Sequence, residues 1–376
     1  MVSNKTKILT VAGTRPEFIK LSETIKALDK FYDQILVNTN QNFEYELNKI
    51  FFKELKIRKP DYSFDTGKKT GILKIADNFI QIEKICIKEQ PDALLILGDT
   101  NTTLVAYVAK RYKIPIFHIE AGNRCFDQRV PEEINRKIVD HISDVNLVYS
   151  DIARSYLLKE NLEPTRVINV GSPILEIVYK NKSNINKSKI LNKLKLKKNK
   201  YFLISFHREE NLNSEVILKN FIKLINFLDL KYKFKIIIST HYKLQDRLKK
   251  NNTIFKSKKI HFFKPFGYFD YCKLLKNSYI VLSDSGTLNE EASVMKFKAL
   301  NLRENHERPE ADTEATVPLI NMDLNKIHEA IEIIIKLKNS NQRIVKDYFV
   351  KNFSLKIVKI LFGFIGKVRR DVWKEY

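Results

Sequence analysis

Cysteine, glycine and proline are all scarce in this chain of 376 residues, which has 3, 10 and 10 of them. Cys86, Cys125 and Cys272 are far apart and odd in number, so they form neither a disulfide framework nor a metal site. A reducing, cytoplasmic location is expected. So few glycines and prolines argue against repeats and long flexible tracts. No apolar run approaches the roughly 20 residues of a membrane span, so no stable membrane insertion is expected. No secretory signal is expected either, because Ile8 to Ala12 leads straight into Gly13-Thr14-Arg15-Pro16-Glu17. The GxGxxG fingerprint is missing, which argues against a dinucleotide site of that type.

Acidic residues are also in short supply. Lys and Arg number 67 against 44 Asp and Glu, a formal net charge of +23. That balance alone would suit a nucleic acid or an anionic membrane. Lysine is abundant everywhere, however, and no zinc-finger spacing or RNP-like aromatic motif accompanies it, so no nucleic-acid partner is expected. A positive field still favours an anionic substrate. The densest run, Lys187 to Lys200, reads as a solvated helix or linker. Ile357 to Val368 reads as a closing helix packed on the body rather than a membrane-surface element.

What the chain does have is an alternation of short apolar runs and amphipathic stretches. Lys7–Val11, Gln34–Asn38, Ala93–Leu97, Ile116–Ile119, Val145–Val148 and Val167–Val170 read as buried strands. Glu17–Leu28, Ile72–Lys88 and Glu132–His141 read as helices between them. After the polar run Asn181 to Lys200, strands resume at Tyr201–Phe206, Lys235–Ser239, Ile260–Phe263 and Tyr279–Leu282. The pattern is α/β with parallel sheets: two Rossmann-like domains joined by a lysine-rich connector. The expected boundaries are 1–180 and 181–354. A ligand is expected in the central cleft, facing the strand C-termini.

Chemistry-bearing residues gather at those strand ends. The segment from His118 to Arg124, with Arg129 to Arg136, holds three carboxylates, three arginines and two asparagines around a strand-to-helix passage. Pro131 opens the helix, where its missing N–H costs nothing. Gly13 to Lys20 forms a strand-to-helix turn whose N–H groups, with Arg15 and Lys20, suit an anion, although solvated cations on an ordinary turn read the same way. Asp99, after a very apolar strand, either lines a mouth or caps a helix. His207, after Tyr201–Phe206, either binds a phosphate or moves a proton. Ser285, Gly286 and Thr287 turn into a helix carrying Glu291, and these residues serve either an anion and a ribose or local capping.

In order and spacing these segments resemble the non-hydrolysing UDP-N-acetylglucosamine 2-epimerases. The resemblance runs through Gly13-Thr14-Arg15-Pro16-Glu17, Gly98-Asp99-Thr100, Glu120-Ala121-Gly122, Pro131-Glu132-Glu133, His207-Arg208, Asp284-Ser285-Gly286 and Glu307-Arg308-Pro309-Glu310. It covers nearly the whole chain. It implies a glycosyltransferase-B-like fold, a homodimer, a UDP-sugar substrate, and neither metal nor nicotinamide cofactor. It also implies that 355–376 packs back on the first domain. Asp99, Glu120 and Glu132 match the family's acid–base set, with His207 beside them. Arg15 and His207 match diphosphate-side residues, with Lys20 in support. Ser285, Gly286, Thr287 and Glu291 match UDP phosphate and ribose contacts. Arg136 and His241 match further pocket positions.

The implied chemistry suits these residue types. The C2 proton of a 2-acetamido sugar has no adjacent carbonyl to acidify it, so the sugar must be oxidised transiently or must expel UDP. Without a nicotinamide fingerprint, expulsion is expected, through a 2-acetamidoglucal to which UDP adds back. Two faces of C2 need two acid–base groups, and the departing diphosphate needs cations and N–H dipoles. Two departures bear on substrate. Many family members read His-Arg-Arg-Glu where this chain has His207-Arg208-Glu209-Glu210. The loop Asn123 to Arg129 looks more like the branch acting on 6-deoxy sugars of the UDP-N-acetyl-L-fucosamine or L-quinosamine type. Rival classes are a glycosyltransferase, which needs an acceptor cleft and no trio of acids, and a hydrolysing epimerase.

Overall fold

The computed structural model describes residues 5–41, 45–65, 71–206, 214–240, 242–251, 253, 255–337 and 344–375, without the side chains of 45–49, 242 and 243. The chain divides into two compact units, residues 1–180 with 347–376, and residues 181–346.

The first unit is built on a seven-stranded parallel sheet. Its strands are β1 (Lys7–Ala12), β2 (Asp33–Asn38), β3 (Tyr62–Ser63), β4 (Ala93–Leu97), β5 (Ile116–Ala121), β6 (Val145–Val148) and β7 (Val167–Asn169), in the order β3-β2-β1-β4-β5-β6-β7. Its helices are α1 (Arg15–Phe31), α2 (Tyr45–Glu54), α3 (Gly71–Glu89), α4 (Ala106–Arg111), α5 (Pro131–Ile142), α6 (Asp151–Lys159) and α7 (Ile174–Lys180). Strands β1, β4 and β5 are apolar almost throughout because parallel strands are covered on both faces. Leu9, Val11, Leu94, Ile96 and Ile116 accordingly form one buried cluster with Ile82 and Ile85 of α3.

The second unit begins with α8 (Lys182–Lys187) and α9 (Ile190–Lys193). A five-stranded parallel sheet follows: β8 (Tyr201–Phe206), β9 (Lys235–Thr240), β10 (Ile260–Phe263), β11 (Ile280–Ser283) and β12 (Ala299–Asn301), ordered β10-β9-β8-β11-β12. Around it lie α10 (Glu215–Tyr232), α11 (Tyr242–Lys250), α12 (Tyr268–Asn277), α13 (Leu288–Met295), α14 (Pro309–Thr313) and α15 (Leu324–Lys336). Phe202, Ile204, Phe206, Phe221, Ile238 and Leu282 form its core.

The lysine-rich run corrects one expectation. It is not a free connector or a solvated linker. Ile185, Ile190 and Leu196 are buried, and α8 and α9 pack on α12. Ser188 Oγ donates to Asp270 at 2.5 Å, and Lys273 Nζ donates to the Asn186 carbonyl at 3.0 Å. Lysine, asparagine and serine fill most of the remaining positions and are largely exposed, while an apolar residue every five or six positions goes inward.

The chain returns to the first unit for α16 (Phe353–Trp373), which packs on α1. Ser354 donates both its N–H and its hydroxyl to Glu176, at 2.8 and 2.7 Å. Tyr32 donates to the Val358 carbonyl at 2.8 Å, and Arg369 pairs with Asp92 at 2.8 Å. Among the described residues, no helix is long and apolar enough to cross a membrane.

Each sheet reverses its strand order once, between β1 and β4 and between β8 and β11. The crevice outside the strand C-termini at such a reversal is where open α/β sheets bind ligands. The segments after β1, β4 and β11 are the Gly13, Asp99 and Ser285 turns.

Candidate active site

Thr14 caps α1 and Pro16 stands in its first turn. Glu17, three residues on, reaches back to accept from the N–H groups of Gly13 and Thr14 at 2.6 and 3.0 Å, the reciprocal half of a capping box. Its other oxygen accepts from the Thr100 hydroxyl at 2.6 Å. Glu17 thereby ties the turn after β1 to the turn after β4. Burial pushes its carboxyl up to about 7, against the lowering effect of those three donors, and the nearby Asp99 adds to the rise. Gly13 is required here because a Cβ would lie 2.0 Å from Thr39 Oγ1 and 2.3 Å from Thr102 Oγ1. Arg15 is half-buried, with its guanidinium 4.7 Å from the Phe51 ring centre, a cation–π distance.

Asp99 is not a helix cap, one of its two expected roles. Thr100 holds the cap position of the following 3-10 turn. Asp99 Oδ2 instead accepts from Arg136 Nε and Nη2 at 3.0 and 2.6 Å. The other branch of Arg136 contacts Glu133, which is wholly buried. Glu133 also accepts from the N–H groups of Cys125 and Phe126 at 3.1 and 3.2 Å. Burial raises the Glu133 carboxyl, but the Cys125 N–H and Arg136 outweigh it and hold the group below its ordinary range. Arg136 thus links the Asp99 turn to the loop after β5. Glu132, half-buried at the second position of α5, is four residues from Arg136, a spacing that puts both on one helix face.

Glu120 occupies the most unusual backbone position of the site. It has a φ of +70°, and the pairing of β5 with β6 shifts register between Ile119 and Ala121. A bulge of this kind re-aims a side chain at a strand end. The carboxylate is buried and accepts from Lys20 Nζ at 2.5 Å. Lys20 also stands 6.0 Å from the Tyr149 ring centre. Gly122 follows with φ +78°, and a Cβ there would lie 2.6 Å from the Ala153 carbonyl oxygen.

In the second unit, Ser285, Gly286 and Thr287 form the turn into α13. Ser285 N–H donates to Ser283 Oγ at 3.0 Å, and its hydroxyl is 3.1 Å from that of Thr287. Thr287 is the cap position, with no side-chain cap bond. Glu291 is buried in the first turn of α13. Behind this turn Glu290 accepts from Arg308 Nε and Nη2 at 3.1 and 3.0 Å, and Glu307 accepts from Arg303 at 2.9 Å. Two members of the Glu307-Arg308-Pro309-Glu310 segment therefore hold the β11 and β12 ends in place. His207 and His241 lie outside the described residues.

The six candidates in the first unit, Arg15, Lys20, Asp99, Glu120, Glu132 and Arg136, all stand at the C-terminal ends of β1, β4 and β5 or in the first two turns of α1 and α5. The structure brings Lys20 onto Glu120 and Arg136 onto Asp99, which places both cations against acids. Sequence reading missed Glu17 as a site member, although it stands in the quoted motif; the capping-box spacing was the available signal. It left Asp140 and Glu160 unnoticed, because they are dispersed in sequence, and gave no role to His118 and Arg124, although both stand in the segment it singled out. Among the described residues no group of three or more His, Cys, Asp or Glu side chains is arranged to hold a metal ion.

The chain matches the family model described as UDP-N-acetylglucosamine 2-epimerase over residues 26–362. The UDP-N-acetylglucosamine 2-epimerase structure from Rickettsia bellii superimposes with a TM-score of 0.92 at 42% identity, covering 99% of this chain and 100% of that one. A Methanocaldococcus jannaschii UDP-GlcNAc 2-epimerase in complex with UDP-GlcNAc and UDP gives 0.89 at 35% identity, covering 95% and 100%. The UDP-2,3-diacetamido-2,3-dideoxy-D-glucuronate 2-epimerase of Pseudomonas aeruginosa is 31% identical over 307 residues, 80% of this chain and 84% of its own. A Rickettsia africae glycosyltransferase, at 15% identity and a TM-score of 0.58, shares only the glycosyltransferase-B-like fold. The chain belongs to the UDP-N-acetylglucosamine 2-epimerase family and is a sugar-nucleotide epimerase.

Proposed function

We propose that this protein interconverts UDP-N-acetylglucosamine and UDP-N-acetylmannosamine by expelling UDP and adding it back, supplying a surface-polysaccharide precursor. The observation that carries the reading is the gathering of Asp99, Glu120 and Glu132 at adjoining strand and helix ends, two of them set against Arg136 and Lys20. A base takes the C2 proton, the C2–H electron pair becomes the C1=C2 bond of the glycal, and the C1–O pair leaves with UDP. An acid on the other face returns a proton to C2 as a UDP oxygen re-forms the bond to C1. Carboxylates held by buried cations keep their geometry through both half-reactions. Arg15 and His207 serve the diphosphate, and Ser285, Gly286, Thr287 and Glu291 hold the phosphates and ribose. His241 is assigned a role in substrate binding from the family resemblance alone.

A second substrate reading rests on the Asn123–Arg129 loop, which carries the 6-deoxy branch pattern. Asn123 is buried and donates to the Glu120 carbonyl at 3.2 Å, so the loop's identity bears directly on the reacting residue. Incubation with a panel of UDP-2-acetamido sugars, read by NMR, tests both. A C2 epimer formed from UDP-N-acetylglucosamine supports the first reading. Turnover of 6-deoxy substrates alone replaces it with the second.

The protein acts as a homodimer in this account. Leu73, Ile80 and Ile87 stand exposed at seven-residue spacing on α3. Tyr107 on α4 and Ile134 and Ile138 on α5 are exposed too, and α4 contacts both other helices. Apolar surface of this kind marks an interaction face. The three cysteines are unbridged, which suits a reducing cytoplasm.

A further inference from the structure

Behind Glu120 lies a set of polar and charged side chains, most of them buried, that the proposed chemistry does not use. His118 on β5 and Asp140 on α5 have no exposed side-chain surface. His118 Nε2 is 2.7 Å from the Gly98 carbonyl oxygen, and Nδ1 is 2.9 Å from Asp140 Oδ1. Gly122 N–H faces both Asp140 oxygens, at 3.3 and 3.2 Å. Arg124 Nη1 donates to Asp140 Oδ2 and to the Asn123 carbonyl, each at 2.7 Å. The rest of that guanidinium forks onto Glu160 at 2.8 and 2.6 Å.

Stability alone is a poor account of this arrangement. The desolvation of buried ion pairs largely offsets their attraction, so apolar residues of similar size often serve a fold as well. The set instead spans two places that chemistry needs. Gly98 precedes Asp99, and its N–H also donates to the Ile119 carbonyl at 3.0 Å. Gly122 and Asn123 follow Glu120, whose left-handed backbone costs roughly 1–2 kcal/mol for a residue with a side chain. Such a conformation persists only where surrounding bonds over-determine it.

We propose that Asp140, with His118 and Arg124 as its two arms, is the positioning residue that fixes the Asp99 and Glu120 turns relative to each other. This rests on the epimerase reading, in which both acids must keep their placement while UDP is detached and the glycal waits. Asp140 touches no reacting atom. The donors around it are its function: burial raises its carboxyl, but His118 and Arg124 overcome that and hold it below the ordinary range, as a carboxylate accepting bonds on both oxygens. Asparagine has nearly the same shape, but turns a donor toward one of these donors.

The test is Asp140→Asn in the full-length protein. It compares UDP affinity by calorimetry, kcat and KM, and the amount of free UDP and glycal released per epimer formed. The expected result is UDP affinity and KM within about twofold of wild type, with kcat lower by roughly 10- to 100-fold, the cost of misplacing a reacting group by about 1 Å. The released-to-epimerised ratio should rise at least about threefold, because a displaced acid lets the intermediate escape before C2 is reprotonated. A structural role alone would lower all activities in step with the folded fraction and leave that ratio unchanged, and this result overturns the proposal. Should Asp140→Asn not fold, Glu160→Gln carries the test, since that side chain reaches solvent and holds the far side of Arg124. A smaller rise in the ratio is expected, and a folded Glu160→Gln protein with the wild-type ratio overturns the proposal. Failure of the epimerase reading is told apart by the wild-type arm, which would then show no turnover.

Discussion

Glu120 and Asp99 each face a buried cation, so each is held as an aimed group rather than a mobile surface carboxylate. Replacing Asp99, Glu120 or Glu132 by its amide should lower kcat roughly 10²- to 10⁴-fold, the usual contribution of an acid–base group. UDP affinity, measured by calorimetry, should change little. A comparable loss of UDP affinity would place that residue in binding instead. Glu17 makes a different prediction. Its folded-state carboxyl lies near 7, above the ordinary 4.5. The folded protein therefore binds a proton there that the unfolded chain has already lost. The stabilisation linked to that proton is complete below pH 4.5 and disappears as pH rises through 7, by roughly 3 kcal/mol at most. Melting temperatures of wild type and Glu17→Gln across that range check this. The wild-type value should fall relative to the variant between pH 4.5 and 7 and run parallel to it above. A constant difference throughout would mean that Glu17 is ionised in both states.

At the scale of elements, the parallel strands were the most legible. Ala93–Leu97, Val145–Val148, Tyr201–Phe206 and Ile260–Phe263 begin and end where the sequence pattern places them, although Asn146, Ser205 and His261 interrupt the last three. Strands covered on both faces leave a near-continuous apolar signal, most clearly at Ala93–Leu97. Tyr62–Ser63 and Ala299–Asn301, two and three residues long, carry too little pattern to be recognised and are fixed by their neighbours in the sheet. The lysine-rich run Lys187–Lys200 does hold a largely solvated helix, α9, but buried Ile190 and Leu196 among so many exposed positions carry too little pattern to reveal its packing on α12. In the site, motif residues were legible because chemistry concentrates them in short segments. Their pairings were not: Lys20 and Glu120 are 100 positions apart, and only the β1 and β5 ends bring them together. Helix α16 gives the element-scale prediction. Leu361 on it is fully buried. Leu361→Ala should destabilise the protein by about 2–5 kcal/mol, the range for a buried leucine that leaves a cavity. Denaturant unfolding measures this, and a change under about 1 kcal/mol would mean that α16 is not integral to the first unit.

For the whole molecule, the proposed homodimer would associate through the exposed apolar stripe on α3 with Tyr107 and the α5 isoleucines. Ile80→Lys with Ile87→Lys should convert a dimer to a monomer in sedimentation velocity, since unpaired charge at an interface centre is strongly disfavoured. A variant that remains dimeric would place the contact elsewhere.

The central claim is that the C2 hydrogen leaves the sugar while UDP is detached, and the most direct measurement is turnover in deuterated water. The account predicts deuterium at C2 of both epimers, with slow leakage of free UDP and the 2-acetamidoglucal on prolonged incubation. Epimerisation that keeps the original hydrogen on C2 would contradict it and require chemistry at another carbon.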